Sequence, residues 1–430
     1  MSTTNINKLD IFKNTPVGGP EHKPRTIADV GVRETILEDI ALKALYSVGS
    51  FSVLDLSEHT KLSYEVAEQL FNRLRAKQLC EVTGMVGTIP HIAITIQGRT
   101  RAQALLSQNQ YSGAMPVTLE SYVTQVRKQS MRKVKAQREN VERAFSHLVL
   151  DPELKAQLGA ALNSGTAVFL YGPPGVGKTS IAEAMVRAFP NDEVWIPYAI
   201  EAGGQIITVF DPAIHEACAS DGIESGDQRW VRCRRPNVTL GGELTIDMLD
   251  LQFNPIMNYY DGPPQMKANN GVLVIDDFGR QRLSTEDLLN RWVVPLDRGI
   301  EFLTLVGGRK MEIPFEMLVV FASNKNPRAV LDSAFVRRIQ TKIRFGPVTD
   351  EQFTEIFSRV ASSRNLTVDH EVLKQLMAVI RESMKEPLRP CFARDIVNQV
   401  CWKASYEEKD PVLDYDSVMH AVKAYFLPPE

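Results

Sequence analysis

The sequence predicts an α/β fold: a parallel sheet around a phosphate-binding loop, a small helical lid after it, and a separate helix-and-hairpin domain before it. Three observations carry this. Thr166–Tyr171 is an apolar run, Gly172-Pro173-Pro174-Gly175-Val176-Gly177-Lys178-Thr179 is a complete G-x-x-x-x-G-K-[ST] loop, and Ser180–Ala188 reads as a helix. Val272-Leu273-Val274-Ile275-Asp276-Asp277 is a buried strand that ends in two carboxylates. Residues 33–106 and 350–426 carry different periodicities, helices with a hairpin in the first and helices alone in the second.

The loop has a specific chemistry. Its glycines let backbone N–H groups turn inward around phosphates, and the helix that follows adds the positive end of its dipole. Residues Gly172 to Ser180 are therefore expected to bind nucleotide, with Lys178 on the β- and γ-phosphates and the Thr179 hydroxyl on Mg²⁺. Asp276 would hold the metal through water, and Asp277 would orient and deprotonate the attacking water. ATP and Mg²⁺ are the expected ligands.

Composition limits the remaining choices. A chain of 430 residues with 44 % hydrophobic and 23 % charged residues holds two or three ordinary domains. Its net charge of -3 argues against a protein built to coat nucleic acid or anionic membrane. No apolar run reaches the length of a membrane span, and no signal peptide opens the sequence. Cys80, Cys218, Cys233, Cys391 and Cys401 are scattered, with no C-x-x-C pair, so the cytoplasm is the expected compartment.

Five segments are expected in order. Residues 1–26 are polar, rich in Pro and Gly, and read as a flexible tail. Residues 27–110 hold a helix over 35–48, a short helix within 51–62, a third over 64–77 capped by Ser63, and strands at 80–85 and 91–96. That order resembles a winged helix-turn-helix. Between Arg33 and Arg101 eight Lys/Arg face eight Asp/Glu, so docking to protein is favoured over reading DNA. Residues 111–147 form a linker that breaks at 111–116 and then a long basic helix over Leu119–Phe145. This helix carries Arg127, Lys128, Arg132, Lys133, Lys135, Arg138 and Arg143. A solvated face is the plainer reading of it, and a surface for an acidic partner or nucleic acid the sharper one. Residues 148–347 form the core, with a second strand at Val194–Ile200, and residues 348–430 the helical lid.

The motif order resembles the AAA+ ATPases, and further roles follow from that resemblance. Leu318–Ser323 would be the strand that ends in the polar sensor, Asn324, set to bond the γ-phosphate and the attacking water. The segment Asp332-Ser333-Ala334-Phe335-Val336-Arg337-Arg338-Ile339 is similar to the arginine-finger segment, with Arg338 the better match and Arg337 the second. Cys391-Phe392-Ala393-Arg394 resembles the second sensor, with Arg394 facing the nucleotide from the lid and Arg389 as its competitor. Either finger arginine could instead pair with a surface acid, and Arg394 with Asp395. The family's usual second acid is Glu, and Asp277 is one methylene shorter.

A hairpin before the sensor strand, 301–306 and 309–314 around Gly307-Gly308, places the resemblance in the pre-sensor-1 hairpin branch, nearest MoxR-type ATPases. A stretch of about 70 residues separates the expected second strand from the acids. It carries Arg229-Trp230-Val231-Arg232-Cys233-Arg234-Arg235 and Tyr259-Tyr260-Asp261-Gly262-Pro263-Pro264-Gln265. With Asp277-Phe278-Gly279-Arg280-Gln281-Arg282, these resemble bacterial chaperone-like ATPases associated with pilus assembly. The resemblance implies an ATP-hydrolysing enzyme that forms rings of about six subunits and remodels a protein complex. The alternatives are a DNA-associated loader or regulator and a slow nucleotide-gated switch. Self-assembly and a protein client are the expected partners, with nucleic acid less favoured and no membrane insertion.

Overall fold

The computed structural model describes residues 19–20, 23–189, 193–219 and 226–426; most of the expected tail, residues 1–18 and 21–22, lies outside them. The chain divides into two compact units. One comprises residues up to 135 with 189–273 and 282–318, and the other comprises 136–188, 274–281 and 319–430.

The first unit begins with helices Glu34–Val48, Val53–Thr60 and Tyr64–Ala76, the hairpin Cys80–Val86/Ile89–Ile94, and helix Ile96–Gln108. Ser52–Asp55 form a capping box, and the Ser63 and Thr95 hydroxyls accept from the N–H groups of Val66 and Gly98. The short strand Ser50–Ser52 pairs with Ile89–Ile94 to make a three-stranded antiparallel sheet. Leu37, Ile40, Leu45, Leu56, Val66, Leu70, Leu74 and Ile92 meet in one core.

Residues expected as a linker are packed: Tyr111, Met115 and Val117 are buried, and Val117–Thr118 pair in parallel with the strand Ala199–Ala202. The expected single helix over 119–145 is two helices, Leu119–Lys128 and Arg138–Ala144, with a 3-10 turn at Met131–Lys133. The break has a polar cause. The Gln129 amide donates to the Trp195 carbonyl at 2.9 Å and accepts from the Trp195 N–H at 3.0 Å, acting as a one-residue strand partner. The Ser130 hydroxyl donates to Glu316 at 2.5 Å. Both residues are buried, and continuing the helix would break these bonds.

The core sheet comprises β1 (Ala167–Tyr171), β2 (Asn237–Leu240), β3 (Val272–Ile275), β4 (Leu318–Ser323) and β5 (Thr341–Arg344), in the order β2-β3-β4-β1-β5. The expected second strand at Val194–Ile200 is not part of it. That run is cut at Tyr198, whose N–H bonds the Arg229 carbonyl. Glu193–Pro197 pairs antiparallel with Trp230–Arg234, and Ala199–Ala202 turns back on Gln205–Thr208 through Gly203-Gly204. Its backbone groups are therefore spent on Trp230–Arg234, on Gln205–Thr208 and, in parallel, on Val117–Thr118. The long excursion precedes the second core strand. The hairpin expected at 301–314 is present, Ile300–Thr304 against Lys310–Pro314.

In the second unit β4 and β5 flank β1 in parallel, and their registers bring Tyr171, Ser323 and Arg344 level at one edge. Phe169, Phe278 and Phe321 pack edge and face behind that edge. Helix α1 (Lys178–Met185) leaves the loop directly. The lid is α2 (Asp350–Ser363), α3 (His370–Ala378), α4 (Pro390–Tyr406) and α5 (Tyr415–Tyr425), around Phe353, Phe357, Leu376, Ile396 and Val418. Capping explains the starts: Thr349 boxes with Gln352, Asp414 accepts from Ser417, and Pro390 opens α4. The fold is α/β, a five-stranded core sheet with a phosphate-binding loop after β1, followed by a small helical lid.

Candidate nucleotide site

Brought together at the level edge are Pro174, Gly175, Gly177, Lys178, Thr179, Ser180, Asp276, Asp277, Asn324 and Arg394, lining a cleft of about 530 Å³. All belong to the second unit. The loop's shape depends on glycine at its centre. Gly175 has φ +79°, and a Cβ there would stand 2.3 Å from the Cys391 sulfur at the start of α4. The Gly175 carbonyl in turn accepts the Cys391 N–H at 3.2 Å. Packing of the Cys391 side chain on the loop thus makes any side chain at Gly175 costly.

A continuous polar chain crosses the cleft. Lys178 donates to the carbonyls of Gly172 and Pro173 at 3.1 and 2.9 Å and to Asn324 Oδ1 at 2.7 Å. Asn324 Nδ2 donates to Asp277 Oδ1 at 2.8 Å. The Thr179 hydroxyl donates to Asp276 Oδ2 at 2.9 Å, so a hydroxyl and a carboxylate lie side by side. Hard oxygens in that pairing fit Mg²⁺, and Thr179 with Asp276 would hold it. Lys178 is 7 % exposed, and burial holds its pKa below the ordinary lysine value despite Asp276 and Asp277 nearby.

The acids are presented by an unusual turn. Asp277 has φ +49°, a left-handed conformation that a non-glycine residue adopts at a cost. Gln281 holds it closed: its Nε2 donates to the Asp276 carbonyl at 2.7 Å, and its Oε1 accepts the Gly279 N–H at 2.8 Å. Sequence reading did not single out Gln281.

A second cavity, about 480 Å³, lies within the same unit. Leu148, Val149, Leu150, Val176, Ile181, Phe345, Val348 and Ile356 make it largely apolar. It shares Leu148, Gly177 and Pro390 with the phosphate cleft. The apolar triplet Leu148-Val149-Leu150 before the Asp151 cap was the available signal for it.

The other expected residues are placed as follows. Arg394 lines the cleft but pairs with Asp395 at 2.9 Å, and its competitor Arg389 pairs with Glu386 at 2.6 Å. Arg337 and Arg338 end the helix Ser333–Arg338 and are not among the cleft's lining residues. Arg338 lies over the Phe335 ring at 5.4 Å.

A family described as a domain of unknown function, DUF8689, matches residues 349–424, the lid alone. No curated protein matches the chain. Among solved structures, the Thermotoga maritima RuvB Holliday junction branch migration motor aligns over 68 % of this chain and 73 % of its own, at 16 % identity and TM-score 0.37. Domain III of the Thermotoga maritima replication initiation protein DnaA aligns over 67 % of this chain and 98 % of its own, at 13 % identity and TM-score 0.37. NtrX from Brucella abortus aligns over 82 % of this chain and 61 % of its own, at 11 % identity and TM-score 0.40. Each likeness is distant.

Proposed function

We propose that this protein is an ATPase of the AAA+ type that assembles into rings and spends ATP hydrolysis on remodelling a protein complex. The observation that carries the ATPase reading is the chain Lys178–Asn324–Asp277 beside the Thr179–Asp276 pair, in one cleft that continues into an apolar cavity. The base fits the apolar cavity and the phosphates fit the loop and the start of α1. Bound Mg²⁺ would neutralise phosphate charge. Asn324 positions the attacking water, and Asp277 accepts its proton. Asp277 is a short acid, and slow turnover is the expected consequence.

Arg338 is proposed to serve a neighbouring subunit, with Arg337 as the alternative, because neither lines the cleft of its own chain. Arg394 is proposed to reach the nucleotide from the lid by leaving Asp395. The MoxR-like placement and the link to pilus assembly rest on the sequence motifs. The cytoplasm is the proposed compartment; among the described residues no helix is long and apolar enough to cross a membrane.

A DNA-reading role for the N-terminal domain is the second reading, and its geometry favours protein docking instead. Two cations of the helix Tyr64–Ala76 region are spent inside the domain, Arg73 on Glu34 and Lys77 on Glu38, and Arg101 reaches Asp39 at 4.0 Å. The same helix is covered at its start. Ser63 donates to the Pro24 carbonyl at 2.9 Å, and Gln69 bonds Arg25 and Ile27. DNA binding needs several free cations on one face.

Light scattering with and without ATP and Mg²⁺, on wild type and Asp277→Asn, tests the assembly. Growth to a closed ring of about six subunits, trapped in Asp277→Asn, is expected. A monomer under every condition removes the arginine finger from the mechanism. Full turnover by Asp277→Asn removes Asp277 as the base. A DNA titration over salt with no salt-dependent affinity ends the DNA reading.

A further inference from the structure

The geometry points to Arg280 as a further phosphate-contacting residue: we propose that its guanidinium binds the γ-phosphate in cis and distinguishes ATP from ADP. This deepens the ATPase reading and rests on it.

Arg280 lines the phosphate cleft with Lys178, Thr179, Asp276, Asp277 and Asn324. It stands at the end of the acid turn, and the turn is built to hold it there. Its N–H donates to the Asp277 carbonyl at 3.0 Å. Asp277 at φ +49° and Gly279 at φ +92° are both left-handed, and two such residues within three positions reverse the chain tightly after β3. A Cβ at Gly279 would press on Val330 at 3.1 Å, and at its positive φ a side chain there is strained. Gln281, bonded to the Asp276 carbonyl and the Gly279 N–H, closes the turn behind Arg280.

Charge is the second argument. The other cations of the cleft already have protein partners. Lys178 bonds two carbonyls and Asn324, and Arg394 pairs with Asp395. Lys325, which follows Asn324, donates to the Gly279 carbonyl at 3.3 Å. Arg280 is exposed and makes no ion pair among the described residues, although Asp277 is three residues away. Asp277 Oδ1 is instead taken by Asn324, and Asp276 Oδ2 by Thr179. An unpaired guanidinium on the rim of a phosphate cleft calls for an anion from outside the protein, and its planar fork suits a phosphate.

Position selects which phosphate. The loop amides and the start of α1 suit the β-phosphate, while Lys178 reaches through Asn324 toward Asp277. Arg280 follows Asp277, the acid proposed to act on the attacking water, by three residues in the same turn and lines the same cleft, which assigns it the terminal group. A cation there also opposes the charge that builds up on the transferring phosphoryl group.

The test uses the full chain and titrates ADP and the non-hydrolysable imido analogue of ATP into wild type, Arg280→Ala, Arg280→Lys and Lys178→Ala. Arg280→Ala is expected to weaken the analogue ten-fold or more while leaving ADP within two-fold. Arg280→Lys is expected to recover part of the loss, and Lys178→Ala to weaken both nucleotides. Steady-state ATPase of Arg280→Ala is expected to fall in kcat. Equal weakening of ADP and analogue by Arg280→Ala, or no weakening of either, overturns the proposal and leaves the ATP site standing. Wild type that binds neither nucleotide overturns the ATP site itself and the proposal with it. Melting curves of each variant confirm that the exposed substitution leaves the fold intact.

Discussion

Replacing Lys178 by Met separates nucleotide binding from folding. The lysine is nearly buried, and its ammonium carries three hydrogen bonds, to Gly172, Pro173 and Asn324. In the nucleotide complex those donors would meet phosphate oxygens, where hydrogen bonds to a charged group contribute about 1.5–3 kcal/mol each. Losing the ammonium should then cost at least about 3 kcal/mol of binding, or roughly a hundred-fold in Kd. Folding should respond differently. Burial lowers the Lys178 pKa, so the charged form is disfavoured in the folded protein. Between that lowered value and the ordinary lysine pKa the unfolded chain holds the proton and the folded chain does not, so the lysine's penalty fades as pH rises. A methionine of similar length removes the penalty at neutral pH. The melting temperature of Lys178→Met should therefore match or exceed that of wild type, with the difference shrinking at alkaline pH. Fluorescent-nucleotide titration and calorimetry on the two proteins measure both effects. A variant that binds ATP within about three-fold of wild type refutes the phosphate role of Lys178. A variant that unfolds refutes the reasoning about its burial.

Three other outcomes follow from the packing. Gly175→Ala should destabilise the nucleotide unit by about 2 kcal/mol through overlap with Cys391 and its positive φ, and the double variant with Cys391→Ala should recover part of the melting temperature; no recovery would mean that the contact is not the cause. Glu301 is 2 % exposed and pushed up to about 7 by burial, with Arg291 at 3.2 Å opposing the shift, so its charged form penalises the fold increasingly from pH 4.5 to 7; Glu301→Gln should stabilise at pH 8, by at most about 3 kcal/mol, and hardly at all at pH 4.5, as pH-dependent melting would show. Asp227→Ala should cost about 3–5 kcal/mol in urea unfolding, because it strands the buried Arg229 that bonds Asp227 and the carbonyls of Val30 and Pro116; an unaltered midpoint would show that those carbonyls alone hold the arginine.

Much of the site was legible because its parts are local. The phosphate loop is eight consecutive residues whose backbone chemistry needs no partner from elsewhere, and the structure sets them in the strand–loop–helix context that the sequence demands. Asp276 and Asp277 were readable as the end of an apolar run, and the hairpin before β4 as two β-rich stretches around Gly307-Gly308. Residues such as Gln129, Gln281 and Arg280 were not. Each is a polar residue whose meaning depends on a carbonyl, a carboxylate or a cleft that chain order does not bring near.

The sequence by itself determined that this protein has a phosphate-binding loop, two acids at a strand end and a helical C-terminal region, because loop chemistry, strand hydrophobicity and helix capping are short-range and act wherever the residues occur. Tertiary structure alone decided which strand stands second in the core, where the basic helix breaks and that an apolar cavity adjoins the phosphate cleft. Val194–Ile200 and Asn237–Leu240 are both credible strands in isolation. Only the competition for backbone partners, won in the first case by Trp230–Arg234 and Gln205–Thr208, sends one to the excursion and the other to the core sheet.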